Sequence, residues 1–147
     1  MSFPKINSVV IAVILSALVL VVVRAKVDEN KLKAYTANIA KTCQPEGEPF
    51  GEVHDIVEKA NPTQDEKCFI TCTMTKWGLL SENGKFQPDG VRKVNEAIRE
   101  FDDNPAEYKN ADEAIIAKCS AIEKPEKCDK GYAIAECGFK VFDEIHG

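Results

Sequence analysis

The chain has 147 residues, 44% of them hydrophobic, with a formal net charge of −5 and six cysteines. That is one domain's worth of chain, able to bury a core, and acidic enough to be repelled by nucleic acid and anionic membrane surfaces. No basic cluster argues otherwise, and no internal repeat or low-complexity tract appears after residue 25.

The N-terminus reads as an export signal. Lys5 supplies a positive start, and Val9 to Val23 is apolar except for Ser16. Fifteen helical residues reach roughly 22 Å, short of the roughly 30 Å hydrocarbon core, so a membrane span is the weaker reading. Val23 and Ala25 are small enough for the positions flanking a signal peptidase cut, which predicts a leader over 1–25 and a mature domain over 26–147. Loss of the leader removes Lys5 and Arg24 and no acid, leaving 17 basic against 24 acidic side chains and a formal charge of −7. No glycosylation sequon follows, since Asn61 precedes Pro62.

The mature chain reads as helices separated by proline and glycine. Asp28 is positioned to cap a first helix running to about Thr42, which Gln44 to Pro49 ends. A shorter helix fits 51–60 and stops at Asn61-Pro62-Thr63. Thr63 and Glu66 then form a capping box opening a third helix to Trp77. A loop is expected from Gly78 to Gly90, with a turn at Asn83-Gly84. Val91, Val94, Ala97, Ile98 and Phe101 fall within an arc of roughly 120° at 100° per residue, which predicts an amphipathic fourth helix. A connector over 102–109 carries Pro105. Asn110 and Glu113 look like a second cap, before a fifth helix whose face carries Ala111, Ala114, Ile115, Cys119 and Ile122. Pro125 suits the first turn of a sixth helix continuing to about Phe142. No segment sustains an alternation of period two with β-branched residues, so the fold class is all-α.

The third and sixth helices are apolar on more than one side, which places them centrally. On the sixth, Cys128, Tyr132, Ala135, Phe139 and Phe142 form one stripe, with Ala133, Ile134, Cys137 and Val141 roughly opposite.

Between them, Cys43, Cys68, Cys72, Cys119, Cys128 and Cys137 leave gaps of 24, 3, 46, 8 and 8 residues. An even count behind an export signal reads as a disulfide framework. Cys68 and Cys72 lie one helical turn apart with nearly parallel Cβ vectors, so each needs a partner on another element. Cys128 and Cys137 lie on opposite sides of one helix and must also reach different neighbours. Several pairing schemes satisfy both restrictions. A zinc site is disfavoured, because paired Cys-X-X-Cys knuckles are absent and the histidines, His54 and His146, are far from the cysteines.

This spacing, together with Cys68-Phe69-Ile70-Thr71-Cys72, the Gly78-Leu79-Leu80 to Asn83-Gly84-Lys85-Phe86 stretch and Cys128-Asp129-Lys130 to Cys137, resembles the insect odorant-binding protein family of the six-cysteine pheromone and general odorant-binding type. The likeness covers nearly all of 26–147. It implies about six helices stapled by three interlocked disulfides around an apolar cavity, with Cys43 joined to Cys72, Cys68 to Cys128 and Cys119 to Cys137. It implies a secreted, extracellular carrier of small hydrophobic ligands such as odorants, pheromones or related lipids, with no cofactor, metal or catalytic residue. An olfactory receptor or a second copy of the chain are the macromolecular partners it suggests. The alternative on the same scaffold is a salivary or venom-type scavenger or interaction protein, with an acidic pocket favouring amines.

The lining residues expected for such a cavity are Ile56, Phe69, Met74, Trp77, Leu80, Phe86, Val94, Ile98, Ile115, Tyr132, Phe139 and Phe142. For each of them ordinary core packing is the competing reading. Trp77 and Phe86 stand out as large aromatic bodies flanking the loop after the third helix. The Tyr132 hydroxyl suits either a polar ligand head or an interhelical hydrogen bond. The ten residues after Cys137 are too few for the extra helix that longer-tailed relatives fold into the pocket, but Phe142 and Ile145 are expected to face inward over an entrance. Both histidines read as solvated, and the adjacent His54 and Asp55 carry no sign of a catalytic arrangement.

Overall fold

The computed structural model describes residues 29–44, 46, 49–101 and 110–146. The expected leader, the Asp28 cap and the connector over 102–109 lie outside the described residues. Among those described are six helices: α1 (Glu29–Cys43), α2 (Val53–Val57), α3 (Gln64–Lys76), α4 (Pro88–Arg99), α5 (Ala111–Cys119) and α6 (Lys127–His146). Leu80 and Phe86 form an isolated antiparallel bridge, and no strand occurs among the described residues. The protein is all-α.

Helix α3 begins where its capping box dictates. The Glu66 N–H donates to Thr63 Oγ1 at 3.2 Å, and the Thr63 N–H donates to Glu66 Oε2 at 2.8 Å. Glu66 is buried and also accepts from the Lys59 ammonium. This cation, followed by the Thr63 N–H, holds the carboxyl below its ordinary range.

Four expectations change at helix ends. Helix α2 is shorter than 51–60, because Gly51 takes a left-handed conformation at φ 92° and cannot belong to it. Helix α4 starts at Pro88, three residues before Val91, since a proline at the first position lacks only an N–H that would go unpaired anyway. Asn110 does occupy the position before α5, but at φ 70° its side chain makes no capping bond, and Glu113 turns instead to Arg92 at 2.7 Å. Helix α6 begins two residues after Pro125, capped by Glu126, whose carboxylate accepts the Asp129 N–H at 2.8 Å; it then runs on to His146.

Helices α3 and α6 run side by side in the same direction. Gln64 meets Glu126 at 2.9 Å, Lys67 meets Asp129 at 2.8 Å, and the Thr71 hydroxyl lies 3.1 Å from the Cys128 carbonyl. Gly131 permits this approach: a Cβ there would stand 2.2 Å from Thr71 Oγ1. Helix α1 packs on α3, α5 on α6, α4 on α5, and α2 touches α6. Ile56, Ile70, Leu80, Ile134, Thr73 and Cys119 are fully buried. Thr73 is accommodated because its hydroxyl donates to the Phe69 carbonyl one turn earlier, at 2.9 Å.

Three disulfides cross-link this arrangement: Cys43–Cys72 ties α1 to α3, Cys68–Cys128 ties α3 to α6, and Cys119–Cys137 ties α5 to α6. Both central helices therefore hold two partners each.

The bridges close loops of 29, 60 and 18 residues respectively. Replacing the pairs one at a time with alanine is expected to cost about 3 to 4 kcal/mol each in urea unfolding, most for Cys68–Cys128 and least for Cys119–Cys137. The two glycines of α6 are expected to respond oppositely to a methyl group. Gly131→Ala should destabilise by about 1 to 3 kcal/mol. Gly138→Ala should stabilise by about 0.5 to 1 kcal/mol, because the nearest atom to its added Cβ is 4.0 Å away. Because Glu66 is depressed, its contribution is complete above the unfolded value near pH 4.3 and is lost as pH falls through the lower folded pKa. Glu66→Gln should therefore cost about 1 kcal/mol at pH 7, and acid titration of both proteins should show the difference closing toward pH 3.

Candidate functional site

Helix α3 ends in a motif that fixes the next element. Trp77 is its last half-helical residue, and Gly78 follows in the left-handed region at φ 76°. The Gly78 N–H donates to Thr75 O at 3.0 Å and the Leu79 N–H to Met74 O at 2.9 Å, the paired bonds of a Schellman terminus. The chain then doubles back through a tight turn at 81–84 in which the Gly84 N–H donates to Ser81 O at 2.8 Å. The Gln87 N–H returns to Leu79 O at 2.9 Å. Lys127 donates to the Glu82 carbonyl, fastening this hairpin to α6. Gly90, in the first turn of α4, sits on the Gly78 carbonyl so closely that a Cβ would fall 1.8 Å from it. Trp77 is thus held at the junction of α3 and α4.

The residues expected to line a cavity fall into two groups. Ile56, Phe69, Met74, Leu80, Phe86 and Tyr132 are buried in the packed core, and Ile115 and Phe139 are half-buried against it. Trp77, Val94, Ile98 and Phe142 are also half-buried but stand outside that core. Each of these four keeps part of its surface exposed, at the margin of the packed interior. On α3, Trp77 continues the stripe of Ile70, Thr73 and Met74, all buried. On α4, Val94 and Ile98 share the face of Val91, which is buried.

These elements close a circuit. Helix α1 lies on α3, α3 on α6, α6 on α5 and α5 on α4. Phe101, just past the end of α4, meets Tyr35 of α1 edge-on with ring centroids 5.7 Å apart. That contact joins the last helix of the circuit to the first.

A separate open depression of about 330 Å³ lies where α1 meets α3, lined by Cys43, Phe50, Asp65, Cys68 and Phe69. Of the expected lining residues it includes Phe69 alone. Phe50 stacks at a tilt on Phe69, centroids 5.4 Å apart, and its N–H donates to Gln44 Oε1 at 3.0 Å. Sequence reasoning passed over Phe50, which stands among helix breakers, and Asp65, which reads as an ordinary acid in a first helical turn.

Polar groups in and around the core are mostly committed. The Tyr132 hydroxyl donates to the Val57 carbonyl at 3.0 Å, so its proton serves the α2–α6 contact; burial, then the nearby Glu136 charge, pushes its pKa up. Among the described residues the exception is Trp77, whose Nε1 is buried without a hydrogen-bond partner. His54 is exposed, 3.5 Å from Glu58 and edge-on to Phe139. Ile145, expected to face inward, is 40% exposed: the last turn of α6 outruns the core, whose final α6 member is Val141. Among the described residues no group of three acidic, histidine or cysteine side chains is placed to hold a metal, and no helix is long and apolar enough to cross a membrane.

Residues 25–141 match the family model described as the PBP/GOBP family. The chain is 31% identical over 126 residues, 84% of its length and 81% of the relative's, to general odorant-binding protein 19d of Drosophila melanogaster. No solved structure matches it significantly. With a family-model match over 25–141 and six helices and three disulfides among the described residues, the protein belongs to the PBP/GOBP family.

Proposed function

We propose that the protein is a secreted carrier, exported by loss of residues 1–25, that reversibly binds small hydrophobic molecules and moves them through aqueous fluid. The observation that carries this reading is the apolar set of Trp77, Val94 and Ile98, half-buried at the margin of the packed core, on helices joined in a circuit that Tyr35 and Phe101 close. The relative's description as a general odorant-binding protein supports odorant cargo. Apolar walls suit reversible carriage, since hidden apolar area gives affinity without directional demands: about 300 Å² at roughly 25 cal/mol per Å² is worth about 7.5 kcal/mol, a micromolar affinity before ordering costs. Loading and release need no bond to be made or broken.

A second reading, scavenging of amines, has one observation in its favour. Asp65 borders the open depression beside Phe50 and Phe69, a carboxylate next to aromatic faces, and such surroundings suit an organic cation.

The disulfide-bonded chain over 26–147, titrated with an apolar fluorescent probe and then with volatiles, fatty acids and amines, is expected to release the probe to apolar compounds at micromolar concentrations. Val94→Asp should weaken that binding at least about tenfold, by placing a charge on the proposed wall. Failure of every apolar compound, or tight binding of amines alone with loss on Asp65→Asn, would refute the carrier reading.

A further inference from the structure

We infer that the cargo carries a hydrogen-bond acceptor oxygen, such as that of a ketone, aldehyde or ester, and that the Trp77 indole N–H is the group that receives it. This rests on the carrier reading above and names the class of molecule within it. Trp77 occupies the last position of the inward stripe of α3, after Ile70, Thr73 and Met74, and its own half-buried ring stands outside the packed core. Its Nε1 is cut off from solvent and has no acceptor among the described residues. A buried donor is normally paired, because leaving it unmet forfeits the bond it would make in water.

Acceptors in the last turns of α3 are engaged. The carbonyls of Thr73, Met74 and Thr75 receive the N–H groups of Trp77, Leu79 and Gly78. The hydroxyls of Thr73 and Thr75 are turned back onto the Phe69 and Thr71 carbonyls, both at 2.9 Å. The Schellman terminus and the contact of Gly90 with the Gly78 carbonyl fix the backbone that bears the ring, so a rearrangement that would bring an acceptor to the indole is opposed. An indole N–H only donates, so the complementary ligand atom is an acceptor. An oxygen on an otherwise apolar skeleton meets that donor while leaving the rest of the ligand to apolar burial. A pure hydrocarbon of the same shape leaves the donor unmet.

Pentylbenzene and valerophenone share one carbon skeleton and differ by a CH₂ replaced with a carbonyl. The disulfide-bonded chain and its Trp77→Phe variant are compared by probe displacement with both compounds. The ketone-over-hydrocarbon preference of the unmodified protein is expected to exceed that of the variant by about threefold to tenfold. A second measurement does not depend on the variant folding. Trp77 is the single tryptophan of the chain, so ¹⁵N-indole labelling yields one Nε1–H resonance, expected to move downfield with valerophenone and far less with pentylbenzene. Equal preference in both proteins, or an indole resonance that responds alike to the two compounds, overturns the inference and leaves the carrier reading standing. Binding of neither compound, nor of any other apolar ligand, overturns both.

Discussion

The close parallel contact of α3 with α6 is the constraint on which the rest of the molecule depends. It exists because position 131 has no side chain, so that Thr71 fills the space where a Cβ would be. The register is set by polar contacts at successive turns, Gln64 to Glu126, Lys67 to Asp129 and Thr71 to the Cys128 carbonyl, and Cys68–Cys128 locks it covalently. Lys67 lies partly sheltered beside the Tyr132 ring, 6.0 Å from its centroid, so the ion pair with Asp129 is also braced from the apolar side. Once this pair is aligned, geometry distributes the outer helices. Cys72 presents one turn beyond Cys68 and takes α1; Cys137, roughly half a revolution from Cys128, takes α5.

Cross-links placed this way change what the interior must do. A domain held together by packing alone is penalised for unfilled volume, about 2 to 3 kcal/mol for each 100 Å³ left empty. Each disulfide contributes a stabilisation of similar size by restricting the unfolded chain. The fold therefore tolerates apolar side chains at the margin of the packed core, such as the half-buried Val94 and Ile98 of α4. That helix leans on α5 and is held to α1 at its far end by the Tyr35–Phe101 ring contact. It is the member of the circuit without a disulfide.

Much of this was legible in the sequence, because the readable features are local. Thr63 and Glu66 act within one turn of each other, and the two-sided apolar pattern of α3 and α6 follows from periodicity alone. The departures came where a tertiary partner outbid a local one. Glu113 had the spacing of a capping residue, but Arg92 offered a charged partner across the α4–α5 contact. Glu126 is not among the favoured capping types, yet it caps α6 because Gln64 steadies its carboxylate from α3. Gly51 signalled a break and was read as a start. The residues expected to line a cavity are buried or half-buried, but periodicity cannot tell which of them join the packed core: Met74 and Trp77 lie on one stripe, and only the former belongs to it. The open depression escaped notice because Phe50 and Asp65 are brought together from segments on either side of α2.

The handling of polarity follows from the same architecture. Thr71, Thr73 and Thr75 lie in a helix that is sheltered on several sides, and each turns its hydroxyl toward a carbonyl one turn back. The Tyr132 hydroxyl donates to the Val57 carbonyl. Groups satisfied in this way show mainly carbon to their surroundings, so they ask little of a neighbour beyond fit. Selectivity within such an interior cannot come from a dense polar network, since none of these donors is left to take part. On the inference drawn above it comes from shape and from Trp77 Nε1, the buried side-chain donor left without a partner among the described residues. A single hydrogen bond of modest net strength sorts ligands without holding them, whereas several would slow release more than they improved selection.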